Sequence, residues 1–137
     1  MEINTIILDT NAYAEFKKGN PDAFEVIKKV HNIILTPIVL GEIISGFILG
    51  NKEDTNRKEL NQFLQSSRVM VVRIDLKTSE QYAKIYKELR FKGKPIPTND
   101  MWIASSAKQF DIPIFTYDHH FNQIDGLIVI SKVKDLL

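Results

Sequence analysis

Short apolar runs recur along the chain, and each is followed by a stretch with helical composition. The runs are 3–8, 33–35, 69–74, 114–117 and 127–130; they hold Ile3, Leu8, Ile33, Leu35, Val69, Ile74, Ile114, Tyr117, Leu127 and Ile130 at their ends. Strands buried on both faces read as continuous apolar runs, and helices between them act as crossovers. The alternation therefore predicts an α/β fold in which a parallel sheet is covered by helices on both faces. No repeat, linker or low-complexity segment interrupts it.

The boundaries carry their own signals. Gly19 stops a helix predicted over 12–18, and Asn20-Pro21 and Thr36-Pro37 each set a capping side chain ahead of a proline at the first helical position. Helix 52–67 is charged and amphipathic, with Leu60, Phe63 and Leu64 inward. Asp75 caps a helix that runs to about Phe91, its apolar face being Tyr82, Ile85, Tyr86 and Leu89. Gly93 to Pro97 is a breaker loop, and 133–137 is a short tail.

Acidic residues fall at telling places in this pattern. Asp9 ends the first apolar run, Asp118 ends the fourth, and Asp100 opens a helix whose Ile103, Ala104 and Ala107 share one face. Ligands of parallel sheets gather outside the carboxyl ends of the strands, so these acids are expected at one rim. Glu42 is the only charge in an apolar segment that includes Ile38, Val39, Leu40, Ile43, Ile44 and Phe47. That helix is expected to be buried on most sides. An unpaired buried carboxylate costs about several kcal/mol, so Glu42 is expected to aim into a site. Ordinary uses compete: Asp100 as a first-turn acid, Asp118 as a turn former, Glu42 on a narrow wet stripe.

Carboxylates that converge repel one another and bind protons or cations in relief. The chain has no cysteine, which excludes disulfides, zinc–thiolate centres and thiol nucleophiles and leaves oxygen or histidine to hold any metal. Oxygen donors suit magnesium or manganese, which engage phosphates and so point to phosphoryl or phosphodiester chemistry. His119 and His120 are candidate acid/base or phosphate-contacting groups, with plain surface as the alternative. Lys84, Lys87, Arg90, Lys92 and Lys94 lead into the loop before Asp100; they suit a nucleic-acid backbone, or merely a solvated helix face. The net charge of +1 gives no further guidance. At 137 residues, 44% of them hydrophobic, one domain over 1–137 is expected. No stretch approaches the roughly 20 apolar residues of a membrane span. The start Met1-Glu2-Ile3-Asn4 lacks the basic head of a secretion signal, so a cytoplasmic location is expected.

Four segments taken together resemble the acidic motifs of PIN-domain ribonucleases, in the same order and across nearly the whole chain. They are Leu8-Asp9-Thr10-Asn11, the helical Glu42, Asn99-Asp100-Met101-Trp102-Ile103-Ala104, and Thr116-Tyr117-Asp118-His119-His120-Phe121 with Ile124-Asp125-Gly126-Leu127 behind it. The likeness is greatest to the VapC-type toxins of toxin–antitoxin pairs. It implies a three-layer α/β/α sandwich with a central parallel sheet and magnesium- or manganese-dependent endonucleolytic cleavage of RNA. By position, Asp9 and Asp100 would be the principal metal ligands and Asp118 would complete the acidic site, directly or through water. Glu42 would orient or deprotonate the attacking water, and Asn11 and Thr116 would position substrate or water. The resemblance also implies a homodimer and a cognate antitoxin that inserts a side chain into the site.

Two other readings start from the same residues. Asp9 would be the nucleophile of a haloacid-dehalogenase-like phosphatase or a phosphoacceptor domain. Against this, no second aspartate stands two residues on. Alternatively, the chain would be a non-catalytic module that keeps the fold and binds RNA or an antitoxin.

Overall fold

In the computed structural model, which describes residues 2–137, the first apolar run becomes the middle of the sheet. β1 (Thr5–Leu8) pairs with β2 (Asn32–Leu35) on one side and with β4 (Ile114–Phe115) on the other. β3 (Val69–Val71) and β5 (Val129–Ile130) are the edges, giving the order β3-β2-β1-β4-β5 with every pairing parallel. In register, Ile7 lies opposite Ile34 and Ile114, and Leu8 opposite Phe115. Ile6, Ile7, Leu8, Ile33, Leu35, Ile114 and Phe115 are fully buried, as expected for strands covered on both faces.

The chain leaves β1 in one direction, through α1 (Thr10–Lys17) and α2 (Pro21–Lys29) to β2, then through α3 (Pro37–Leu49) and α4 (Glu53–Leu64) to β3. It then returns past the starting strand through α5 (Leu76–Lys92) and α6 (Thr98–Phe110) to β4. Parallel crossovers are right-handed, so reversing the direction of travel moves the helices to the other face. The packing follows: α1 meets α2 and α3, α3 meets α4, and α5 lies along α6. This is the α/β/α sandwich that the alternation and the resemblance imply. The winding reverses between β1 and β4, which makes the gap beyond their carboxyl ends the topological switch point.

Local chemistry explains most boundaries. Asn20 Oδ1 accepts from the amides of Asp22 and Ala23, Thr36 Oγ1 from that of Val39, and Asp75 and Thr78 form a reciprocal cap. Gly93 ends α5 in the left-handed region at φ 65°, where a side chain is strained. Tyr82 stacks on Trp102 at 4.3 Å between ring centroids and ties α5 to α6.

Several expectations change. α1 starts at Thr10 instead of Ala12, because Asp9 caps it and no loop intervenes after β1. Strand β3 stops at Val71, opposite Leu35, since β2 offers no further partner; the run to Ile74 continues as coil. For the same reason β4 stops at Phe115, opposite the last residue of β1. Tyr86, expected inward on α5, is exposed. The largest correction concerns α3, which was expected to be buried on most sides. Only Val39 and Ile43 are buried there, while Ile48 is 57% and Leu49 88% exposed. The helix packs on α1, α4 and α6, and its exposed apolar residues lie at its carboxyl end.

Candidate active site

β1 runs into α1 without a loop, and that corner fixes Asp9. Its backbone is extended, its Oδ1 accepts from the Thr10 amide at 2.8 Å, and its Oδ2 accepts from the Thr116 hydroxyl at 2.7 Å. With a relative exposure of 4%, burial is the main influence on its proton affinity and pushes the pKa up to about 6. The two hydrogen bonds pull it down, and the nearby charges of Asp100 and Glu42 push it up again.

Thr116 and Asn11 tie the end of β4 to that corner. The Thr116 hydroxyl, having donated to Asp9, accepts from the Asp118 amide at 3.0 Å. Asn11 Oδ1 accepts from the Tyr117 amide at 3.0 Å, so the first helix holds the chain leaving the fourth strand. Both side chains, expected to position substrate or water, are engaged in positioning Asp9 and the Asp118 segment.

Glu42 reaches the rim from α3. Its Oε1 accepts from the Thr10 hydroxyl at 2.6 Å and its Oε2 from Asn99 Nδ2 at 3.3 Å, so both oxygens are oriented by residues that flank other acids. Thr10 and Asn99 were assigned no role from the sequence. The only signal that could have found them is adjacency, since each directly neighbours an acid of the site.

Asp100 lies in the first turn of α6, almost wholly buried, and burial raises its pKa as the largest effect. The His120 contact opposes that rise, and the Asp118 and Glu42 charges add to it. Asp118 caps the 3-10 turn His119–Gln123 by accepting from the His120 amide at 2.9 Å. That turn brings the His120 ring back over the acids: Nδ1 is 2.9 Å from Asp100 Oδ2 and 3.1 Å from Asp118 Oδ1. The hydrogen bond to Asp100 is the main cause of a raised His120 pKa.

Donor atoms of Asp100, Asp118 and His120 thus lie within 4.8 Å of one another. Two carboxylate oxygens and a nitrogen at this spacing fit a divalent cation of the magnesium-to-transition-metal range. Asp9 and Glu42 stand outside this trio. Each Asp9 oxygen already accepts one hydrogen bond and keeps a further lone pair for a cation. The amino ends of α1 and α6 also face this rim, and their dipoles favour the gathered negative charge.

The remaining candidates lie elsewhere. His119 is exposed, its Nδ1 3.5 Å from Asn122 Nδ2. Lys92 is engaged within the chain: its ammonium meets Glu88 Oε2 at 2.8 Å, the Gln123 carbonyl at 2.7 Å and Asp125 Oδ1 at 2.7 Å. It straps α5 to the segment behind His120, and Lys108 adds a second strap at 2.6 Å to the Asp125 carbonyl. Lys87, Arg90 and Lys94 are exposed.

An all-parallel sheet with four carboxylates gathered at its switch point defines an α/β protein whose acidic rim could hold a cation. The chain belongs to the PIN domain family, whose model matches residues 6–127. It is 30% identical over 128 residues to Ribonuclease VapC2 of Rickettsia felis, covering 90% of this chain and 94% of that one. It is 25% identical over 133 residues to Ribonuclease VapC4 of Mycobacterium tuberculosis, covering 96% and 99%. Among solved structures it superposes on VapBC2 of Rickettsia felis bound to a promoter DNA fragment with a TM-score of 0.81 and 28% identity, over 94% of this chain and 99% of that one. Among the described residues no helix is long and apolar enough to cross a membrane.

Proposed function

We propose that this chain is a magnesium- or manganese-dependent endoribonuclease of the cytoplasm, a single domain over 1–137 acting as the toxin of a toxin–antitoxin pair. The observation that carries this is the convergence of Asp9, Glu42, Asp100 and Asp118 on one rim in a PIN-domain chain similar to ribonucleases of the VapC kind. A bound divalent ion would lower the pKa of a water and screen the charge that builds on the phosphate.

The protein's own part is then specific. Asp9, Asp100 and Asp118 would hold the ion, Asp118 directly or through a water. Glu42, aligned by Thr10 and Asn99, orients the attacking water and accepts its proton. Thr116 keeps the Asp9 carboxylate from rotating, and Asn11 keeps β4 registered against α1. One product would carry a 5′-phosphate. The phosphatase reading fits poorly, since a nucleophilic carboxylate must reach the phosphorus and Asp9 is nearly inaccessible, in a chain of the PIN domain family.

Partners follow from the same reading. RNA is the substrate, the cognate antitoxin blocks the rim with an inserted side chain, and a second copy forms a homodimer. The exposed Ile48 and Leu49 supply apolar surface for such contacts.

Incubating the full-length chain with RNA tests the activity: cleavage should need added magnesium or manganese, stop on chelation, and leave 5′-phosphate ends. RNA that is bound but never cut under any divalent ion would instead establish the non-catalytic module. A binding series tests the basic tail. Replacing Lys87, Arg90 and Lys94 together should weaken RNA binding and reduce the slope of log K against log salt by about 2, for three phosphate contacts on single strands. Lys92→Ala should leave that slope unchanged, and a drop equal to that of the other cations would restore Lys92 to the RNA surface.

A further inference from the structure

We propose that His120 gives its Nδ1 to the divalent ion held by Asp100 and Asp118, making a two-carboxylate, one-imidazole set that selects manganese over magnesium. The inference rests on the nuclease reading above and adds a ligand that the acids alone do not supply.

The geometry comes first. One ring nitrogen, not two, faces both carboxylates, at 2.9 Å from Asp100 and 3.1 Å from Asp118. Adjacent donors around an octahedral ion with bonds near 2.1 Å stand about 3 Å apart, so both nitrogen–oxygen separations match neighbouring positions of such a coordination sphere. A single Nδ1–H aimed between two carboxylates gives the same separations, and only a direct probe of nitrogen bonding separates the two arrangements. The other ring nitrogen has no hydrogen-bond partner among the described residues, and the side chain is half exposed. Water can therefore hold the Nε2 proton that ligation through Nδ1 requires.

The segment is also held in place before any ion arrives. Asp118 caps the turn through the His120 amide, Phe121 is fully buried beside it, and Ile124 is buried three residues on. Lys92 and Lys108 clamp the far end through Gln123 and Asp125. A ring fixed at both ends of its turn loses little freedom on ligation, which favours binding. Imidazole nitrogen suits first-row transition ions, whereas magnesium prefers oxygen throughout. Adding one nitrogen donor to two carboxylates should thus strengthen manganese binding selectively.

Manganese itself is the probe, added to the untagged full-length protein free of imidazole. Pulsed EPR of the complex should show nitrogen-14 modulation from a directly bound imidazole. The modulation should persist in His119→Ala and disappear in His120→Ala, with manganese affinity falling at least about tenfold and magnesium affinity nearly unchanged. His120→Asp, which keeps a ligand but supplies oxygen, should move the preference back towards magnesium. Saturable manganese binding without nitrogen modulation, or modulation that survives His120→Ala, overturns the inference and leaves the nuclease reading standing. A wild-type protein that binds no manganese, with Asp100→Asn behaving identically, overturns both.

Discussion

Asp100→Asn is expected to abolish divalent-dependent RNA cleavage, by on the order of a thousandfold or more, while the protein stays folded and melts no lower than the parent. The loss corresponds to the several kcal/mol that a correctly held metal contributes to a phosphoryl-type transition state, at about 1.4 kcal/mol per tenfold in rate. Stability is spared because Asn keeps the shape of Asp. The substitution also removes a charge that burial already disfavours and that Asp118 and Glu42 repel. The neutral amide still has polar neighbours, since His120 Nδ1 is 2.9 Å from the present oxygen. Cleavage assays and thermal melts on the same preparation read the two halves separately. A fully active, equally metal-dependent Asp100→Asn protein would remove the site proposed here, and an inactive but unfolded one would show that Asp100 serves the fold.

The second large effect is a pH dependence of stability at Asp9. Its folded pKa of about 6 lies above the ordinary value of 3.8, so the native state binds this proton more tightly than the unfolded chain does. The sign follows. The stabilising contribution of protonated Asp9 is complete below about pH 4 and is lost as pH rises through about 6. Two units at 1.36 kcal/mol each give a loss of about 3 kcal/mol across that window. Urea unfolding in the presence of a chelator, at several pH values from 4 to 7, should show wild-type stability falling relative to Asp9→Asn. In that variant the amide oxygen can accept from the Thr10 N–H and the amide nitrogen can donate to Thr116. The Thr116 hydroxyl can then turn to Asn11 Oδ1, already 3.4 Å away. Parallel curves for the two proteins would mean that Asp9 ionises as in the open chain and that its burial does not hold the proton. Saturating manganese should flatten the wild-type curve, because a bound ion stabilises the ionised carboxylate that burial disfavours.

The fold was legible where the chain speaks locally. Asn20-Pro21, Thr36-Pro37 and Asp75 marked their helices because cap and proline chemistry acts within a few residues. The continuous apolar runs revealed strands buried on both faces for the same reason. Strand ends were less legible: β3 and β4 stop where a neighbouring strand stops, and that is a property of the partner. The α3 helix misled because apolar composition does not say which apolar face finds company within one chain.

By itself, the sequence determined the parallel α/β architecture and the identity of the acids placed at element boundaries, since helix capping, hydrophobic period and charge are written residue by residue. The tertiary structure alone decided which donors meet. It turned both oxygens of Asp9 onto Thr10 and Thr116, oriented Glu42 with Thr10 and Asn99, and folded a 3-10 turn that sets His120 against Asp100 and Asp118. It also occupied Lys92 as a strap. The reason is distance along the chain: Asp9 and Thr116 are 107 residues apart, and only the reversal of winding between β1 and β4 makes them neighbours.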